Sequence, residues 1–290
     1  MKIYIPNVDL NKIGGGWTFT RNFIDLASEY MVDNIHDADI MFVTGATLVK
    51  RLEIDFAKKY NKKVVLRVDG IPEDWRNRGT GWSRLRDFGQ LADLVVFQSH
   101  FTQKTTGRLI GRASDGVVIY NGVDTRTFHE NSAMDIRSLH RDVLYINYRK
   151  GENNKRVEEV IERFRIHKLD HVKDTITFVG NYPKKQFLWD GKNWDFGLLD
   201  QEKGTDWLYV GIISDRVELA TIMRGHKYIA FPSFADPCPN TLIEAMSCGC
   251  EPLWLNDYGG QHDIVTMWKN IDWSRERMVS EYLDAFSSIL

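Results

Sequence analysis

Two carboxylates in one short segment are the first residues that could do chemistry. Residues 231–252 read FPSFADPCPNTLIEAMSCGCEP: an apolar run stops at Pro232, a turn follows, and a helix is predicted from Asn240 or Thr241. Asparagine favours helix N-termini, and the unpaired backbone N–H groups of Asn240, Thr241 and Leu242 would attract a phosphate. Asp236 lies on the turn, and Glu244 follows eight positions later, one turn into the helix. Both acids could then accept hydrogen bonds from the hydroxyls of a sugar or ribose whose phosphate rests on the helix start. Spacing alone supports equally well a capped helix carrying solvated acids.

Other segments offer weaker signals. Gly14, Gly15 and Gly16 stand between a first apolar run and a helical stretch, where glycine lets backbone approach a ligand. The run lacks both GxGxxG and the Lys-Ser/Thr ending of a P-loop, which argues against a dinucleotide or ATP. Arg149 and Lys150 end a later apolar run, and Lys155 and Arg156 open the next helix. They form either a solvated basic turn or an anion clamp in which Arg supplies a fork of donors and Lys a mobile charge. Asp69 ends the third apolar run, where it either orients or deprotonates an acceptor hydroxyl or binds a turn N–H. Asp37 and Asp39 have DxD spacing but precede a buried run without a helper ligand, so they read as a helix end and no metal site is expected. Arg76, Arg78, Arg84 and Arg86, with Trp75 and Trp82, read as a solvated face, with a phosphate-bearing or lipid-linked acceptor as the alternative.

The segment around Glu244, Ala245 and Met246 resembles the signature of family 4 retaining glycosyltransferases of the GT-B fold, in which two acids are separated by seven residues. Further segments match in order. Asn121-Gly-Val-Asp124 with Phe128 is similar to that family's inter-domain crossing, Phe97-Gln98-Ser99 to a strand end, and Arg67-Val-Asp69-Gly70 to a subgroup motif. Four positions depart from the pattern: Asp236 replaces the usual Glu, Pro239-Asn240 replace a Gly-aromatic or Gly-Gly pair, and Asp69 stands near a common His. The resemblance implies transfer of a hexose-type sugar, with retention, from a nucleoside diphosphate sugar to a glycan, lipid or small-molecule acceptor, without metal or other cofactor. It places Arg149 and Lys155 against the diphosphate, Glu244 on the ribose, Asp236 on the donor sugar, and Gly15 and Gly16 against donor and acceptor. The alternatives are a sugar-nucleotide epimerase on the same fold and a catalytically silent sugar-nucleotide-binding protein.

The elements that must position these residues alternate. Apolar runs at Ile3 to Ile5, Ile40 to Val43, Val64 to Val68, Leu94 to Phe97 and Val117 to Tyr120 are continuous, as in strands covered on both faces, and helical stretches separate them. A polar stretch, His129 to Arg141, reads as a linker, and a second α/β series follows at Val143 to Asn147, Thr175 to Val179, Leu208 to Gly211, Tyr228 to Phe231 and Pro252 to Leu255. The segment from Tyr182 to Gly204 reads as an irregular excursion. This predicts an α/β chain of two Rossmann-like domains, 1–135 and 136–290, facing across a cleft at the carboxyl ends of their sheets, with the last helix able to pack back on the first domain.

Composition agrees with a globular chain: 290 residues, 43% hydrophobic and 27% charged. A net charge of −2 gives no pull toward nucleic acid, and three cysteines without a CxxC pair read as reduced and structural. The N-terminus carries no signal-peptide core, and no apolar stretch reaches about 20 residues, so a cytoplasmic protein is expected, with peripheral membrane contact left open.

Overall fold

The computed structural model describes residues 1–12, 14–71, 81–130, 141–147, 156–171, 173–180, 187–189, 192–194 and 206–290. The chain divides into two compact units, and they interleave in sequence. The first comprises Met1–Val123, Ala235–Asn240 and Tyr258–Leu290; the second comprises Asp124–Phe234 and Thr241–Asp257. The division therefore falls at 123/124, whereas the polar stretch points to 135/136.

In the first unit β1 (Ile3–Tyr4), β2 (Ile40–Val43), β3 (Lys63–Val68), β4 (Leu94–Phe97) and β5 (Val117–Val118) form a parallel sheet in that order. Alternate side chains go to opposite faces. Ile40, Phe42, Val65 and Val96 pack with Phe19 and Phe23 of the helix Gly15–Leu26 and with Met278, Tyr282 and Phe286 of the helix Arg275–Ser287. Met41, Val43, Val64, Leu66, Val95 and Phe97 pack with Ile54 of the helix Arg51–Lys59 and with Leu85 and Phe88 of the helix Gly81–Leu91. Burial on both faces explains why these runs are uninterrupted.

One detail makes the sheet doubly wound. After the first helix, Met31 bridges Ile3 in parallel and the Val32 N–H donates to Ile3 O at 3.0 Å, so the chain visits one side of β1 before it crosses to β2 on the other. Right-handed crossovers in opposite directions put the flanking helices on opposite faces. The winding reverses at β1, and the glycine turn at 14–16 precedes the helix that makes the first crossover.

In the second unit β6 (Arg141–Asn147) and β7 (Ile176–Gly180) are followed by a short antiparallel ribbon of β8 (Phe187–Trp189) and β9 (Lys192–Trp194). The ribbon falls within the stretch that reads as irregular, because three-residue strands are too short to show a period. Then come β10 (Trp207–Gly211), β11 (His226–Ala230) and β12 (Glu251–Leu253). The main sheet is parallel in the order β10-β7-β6-β11-β12. Counted within the unit this is 3-2-1-4-5, the dinucleotide-fold order, whose switch point lies between its first and fourth strands. Those strands are β6 and β11. Val143, Tyr145, Ile176 and Phe178 pack with Val160 and Phe164 of the helix Val157–Asp170. Among the described residues no helix is long and apolar enough to cross a membrane.

Candidate functional site

In the first unit, three neighbouring strands deliver polar side chains to one place. Arg67 lies near the end of β3, Gln98 directly after β4 and Asn121 shortly after β5, and all three are buried. Arg67 lies over the ring of Phe19 at 3.8 Å from its centroid. Its Nη2 donates to Gln98 Oε1 at 2.7 Å and to Asn121 Oδ1 at 3.0 Å, and its Nη1 donates to Thr44 O at 3.3 Å. Gln98 Nε2 donates to Val68 O at 2.6 Å. With both amide oxygens turned to the guanidinium, Asn121 Nδ2 points outward and donates to Cys238 O at 2.9 Å and Asn240 Oδ1 at 2.8 Å. Tyr282 lies beside Arg67; burial pushes its hydroxyl up to about 12 against the opposing pull of that cation.

This network holds the segment that carries Asp236. Ala235 takes a left-handed conformation at φ 56°, and its N–H donates to Tyr258 O at 2.7 Å. The Gly260 N–H donates to Asp236 O at 2.7 Å, and Ser99 Oγ donates to Pro237 O at 2.6 Å. The loop backbone is thus tied at four successive residues, 235 to 238, and Asp236 itself is half-buried. A Cβ on Gly260 would lie 2.0 Å from Pro237 O. Gly260→Ala should therefore push the loop off this seat at a cost of about 1–3 kcal/mol, as overpacking does. Urea denaturation checks it; an unchanged midpoint would mean that the loop yields freely.

The helix starts at Asn240 itself, so Asn240 is its first residue, not the flanking cap, and its Oδ1 accepts from Asn121. A Cβ on Gly15 would lie 4.0 Å from Asn240 Nδ2, whereas one on Gly16 would meet nothing within 4 Å. The structure thus brings Gly15 and Asn240 together and leaves room beside Gly16. Asp69 is exposed after β3, against the turn that follows β2; a Cβ on Gly45 would lie 2.6 Å from its Oδ2. Asp39, of the DxD spacing, accepts from the Lys2 N–H at 2.7 Å and so ties down the start of β1.

In the second unit Glu244 is 3% exposed, and its Oε1 accepts from Arg216 Nη2. Burial raises the Glu244 carboxyl above its ordinary value, and Arg216 only partly offsets this, since its own side chain is 46% exposed. The Arg216 guanidinium also stacks on Phe128 at 4.6 Å from the ring centroid. Thr241 is half-buried and Leu242 fully buried. Arg149 and Lys155 lie outside the described residues, as do Lys150, Trp75, Arg76 and Arg78. Arg156 precedes the helix Val157–Asp170 and lies over Phe234 at 5.2 Å from its ring centroid. Among the described residues the cation at that helix start thus lies beside the residue that precedes Ala235. The three cysteines are unpaired and buried, and burial raises all three thiols, Cys238 and Cys248 to about 12.

No family profile and no curated protein matches the sequence. Solved structures do match the fold. HepE of Anabaena in complex with UDP superimposes with a TM-score of 0.74 at 15% identity, over 99% of this chain and 100% of that one. The glycosyltransferase AviGT4, involved in avilamycin A biosynthesis, gives 0.61 at 11% identity over 99% and 97%. Sucrose-phosphate synthase from Thermosynechococcus elongatus gives 0.58 at 14% identity over 98% and 79%. The fold is GT-B. Within it, the segments that sequence reasoning singled out leave the two strands flanking the switch point: 148–155 follows β6, and 231–240 follows β11. Sequence reasoning did not anticipate the role of Gln98 and Asn121 in holding the loop, or that of Arg216 beside Glu244. A charge inside the apolar run of β3 was the available signal for Arg67, since a buried guanidinium must find acceptors.

Proposed function

We propose that this chain is a glycosyltransferase that uses a nucleoside diphosphate sugar and retains the anomeric configuration without a metal. The observation that carries the reading is the strand order of the second unit: its switch point is flanked by the strands leading to Arg149 and Lys155 on one side and to Asp236 and Asn240 on the other. The likeness to HepE, solved with UDP and with UDP-glucose, supports the same reading and makes UDP-glucose the first donor to test.

In this reading the diphosphate rests on the N–H groups of Asn240, Thr241 and Leu242, with Arg149 and Lys155 opposing the charge that grows as the anomeric C–O bond breaks. The acceptor hydroxyl attacks from the side the diphosphate leaves, and its proton passes to the departing oxygen or to Asp69. Glu244 takes the ribose through the carboxylate oxygen not used by Arg216, and Asp236 takes the donor sugar. Gly15, against Asn240, lines the donor, with Gly16 beside it. Glycan, lipid-linked and small-molecule acceptors fit this chemistry equally.

UDP-glucose and UDP should each raise the melting temperature at millimolar concentration, whereas NAD(H) should not, since a ligand stabilises by mass action. Sugar transfer should survive EDTA and give a product with the donor's anomeric configuration by NMR. Tight binding without turnover on any acceptor or water would instead mark a silent binding protein, and epimerised donor an epimerase. If no sugar nucleotide in a panel shifts the melt, the reading is wrong.

A further inference from the structure

The last turn of the helix Val157–Asp170 and its C-cap residue, His171, bring two imidazoles together, and the turn beyond returns a carboxylate to them. The His171 N–H donates to His167 O at 3.0 Å, continuing the helical pattern, so side chains four positions apart lie side by side. The two rings stack with centroids 4.3 Å apart and planes inclined by 21°. The Asp174 N–H then donates to His171 O at 3.0 Å, which folds the chain back and leaves Asp174 Oδ2 2.6 Å from His167 Nε2. Two further bonds fix that turn: Lys168 Nζ donates to Asp174 O at 2.9 Å, and the Thr175 N–H donates to Asp142 Oδ2 at 2.8 Å. One ligand atom from each of His167, His171 and Asp174 lies within 4.8 Å of the others.

We propose that His167, His171 and Asp174 bind a divalent transition metal of the zinc class, with water completing the shell. Two imidazole nitrogens and one carboxylate oxygen suit zinc, nickel or copper better than magnesium or calcium, which prefer all-oxygen sites. Bonds of about 2.0–2.1 Å around a tetrahedral centre put ligand atoms about 3.3 Å apart. Side-chain rotation must unstack the two rings so that both nitrogens aim at one ion; it also opens the pair at 2.6 Å and closes the widest pair, at no more than 4.8 Å. His171 is exposed while His167 and Asp174 are half-buried, so an ion reaches the site from solvent. The cluster precedes the amino end of β7, whereas the residues assigned to the donor follow the carboxyl ends of their strands. Its role is then to staple the helix end to the strand, and it does not depend on the transferase reading.

The full chain, stripped with EDTA and dialysed, is titrated with zinc sulfate by calorimetry. One equivalent should bind in the micromolar range or tighter, and zinc should raise the melting temperature. His171→Ala and Asp174→Asn should each weaken binding at least tenfold, with circular dichroism reporting that both are folded. His36→Ala, at another exposed histidine, should bind like the parent. Cobalt(II) provides a second readout: the visible bands of a tetrahedral centre should appear in the parent and vanish in His171→Ala. Equal zinc binding by the parent and His171→Ala, or no saturable binding in the parent, overturns the proposal.

Discussion

Arg67→Ala should destabilise the first unit by about 2–5 kcal/mol, from the cavity it opens and the buried acceptors it leaves unpaired. Arg67 is 2% exposed, and its guanidinium touches a ring, two amide oxygens and a carbonyl. Among the described residues no carboxylate pairs with it. Its removal opens a cavity beside Phe19 and leaves Asn121 Oδ1 without the donor that orients it. An unoriented Asn121 amide can flip, and the bonds to Cys238 O and Asn240 Oδ1 then lose their donor. Arg67→Met fills much of the volume but supplies no donor, so it should cost roughly half as much, with the difference reporting the cavity. Guanidinium denaturation of both variants measures this. Should Arg67→Met match the parent in stability and in donor affinity, the network contributes neither to the fold nor to the loop.

The consequences for the donor should outlast the loss of stability. Measured well below its melting point, Arg67→Met should still bind sugar nucleotides more weakly than the parent, because the loop from Ala235 to Asn240 is held in part through Asn121. A purely structural role would change the melt and leave binding untouched.

The alternation of strand and helix was legible because burial on both faces makes a parallel strand an unbroken apolar run, as at Ile40 to Val43 and Leu94 to Phe97. The segment from Asp236 to Glu244 was legible because a strand end, a proline-rich turn and a helix start follow one another within a few residues. Other features were hidden for physical reasons. Gln98 and Asn121 lie 23 positions apart and meet only because β4 and β5 are neighbours. Nothing local marks Arg216 as the partner of a glutamate 28 positions away. The helix Arg216–Arg224 that carries it has an ordinary N-cap, Asp215, but only a short apolar stripe.

Glu244→Gln should lower kcat/KM for the sugar nucleotide by about 10- to 100-fold, the effect of losing one hydrogen bond to a charged group. Its fold should be no less stable than the parent's. The two expectations share one cause. Glu244 is buried, and burial raises its carboxyl above the ordinary value despite Arg216. A raised folded pKa means that the folded state holds its proton longer than the unfolded chain does. The contribution is fully present below the unfolded value of about 4.3 and is lost as pH rises through the folded value. The amide has no proton to lose. Relative to Glu244→Gln, the parent should therefore weaken across that interval and hold a constant offset above it. Arg216 tolerates the change because it is part-exposed and rests on Phe128. A buried carboxyl at this position is explained if a ribose hydroxyl binds it, and the amide replaces it with little change of shape. Urea melts at pH 4 and pH 7, paired with initial rates at varied donor concentration, separate the two effects. A Gln variant with full activity would remove Glu244 from the donor site, and one less stable at pH 7 than at pH 4 relative to the parent would reverse the sign of its burial.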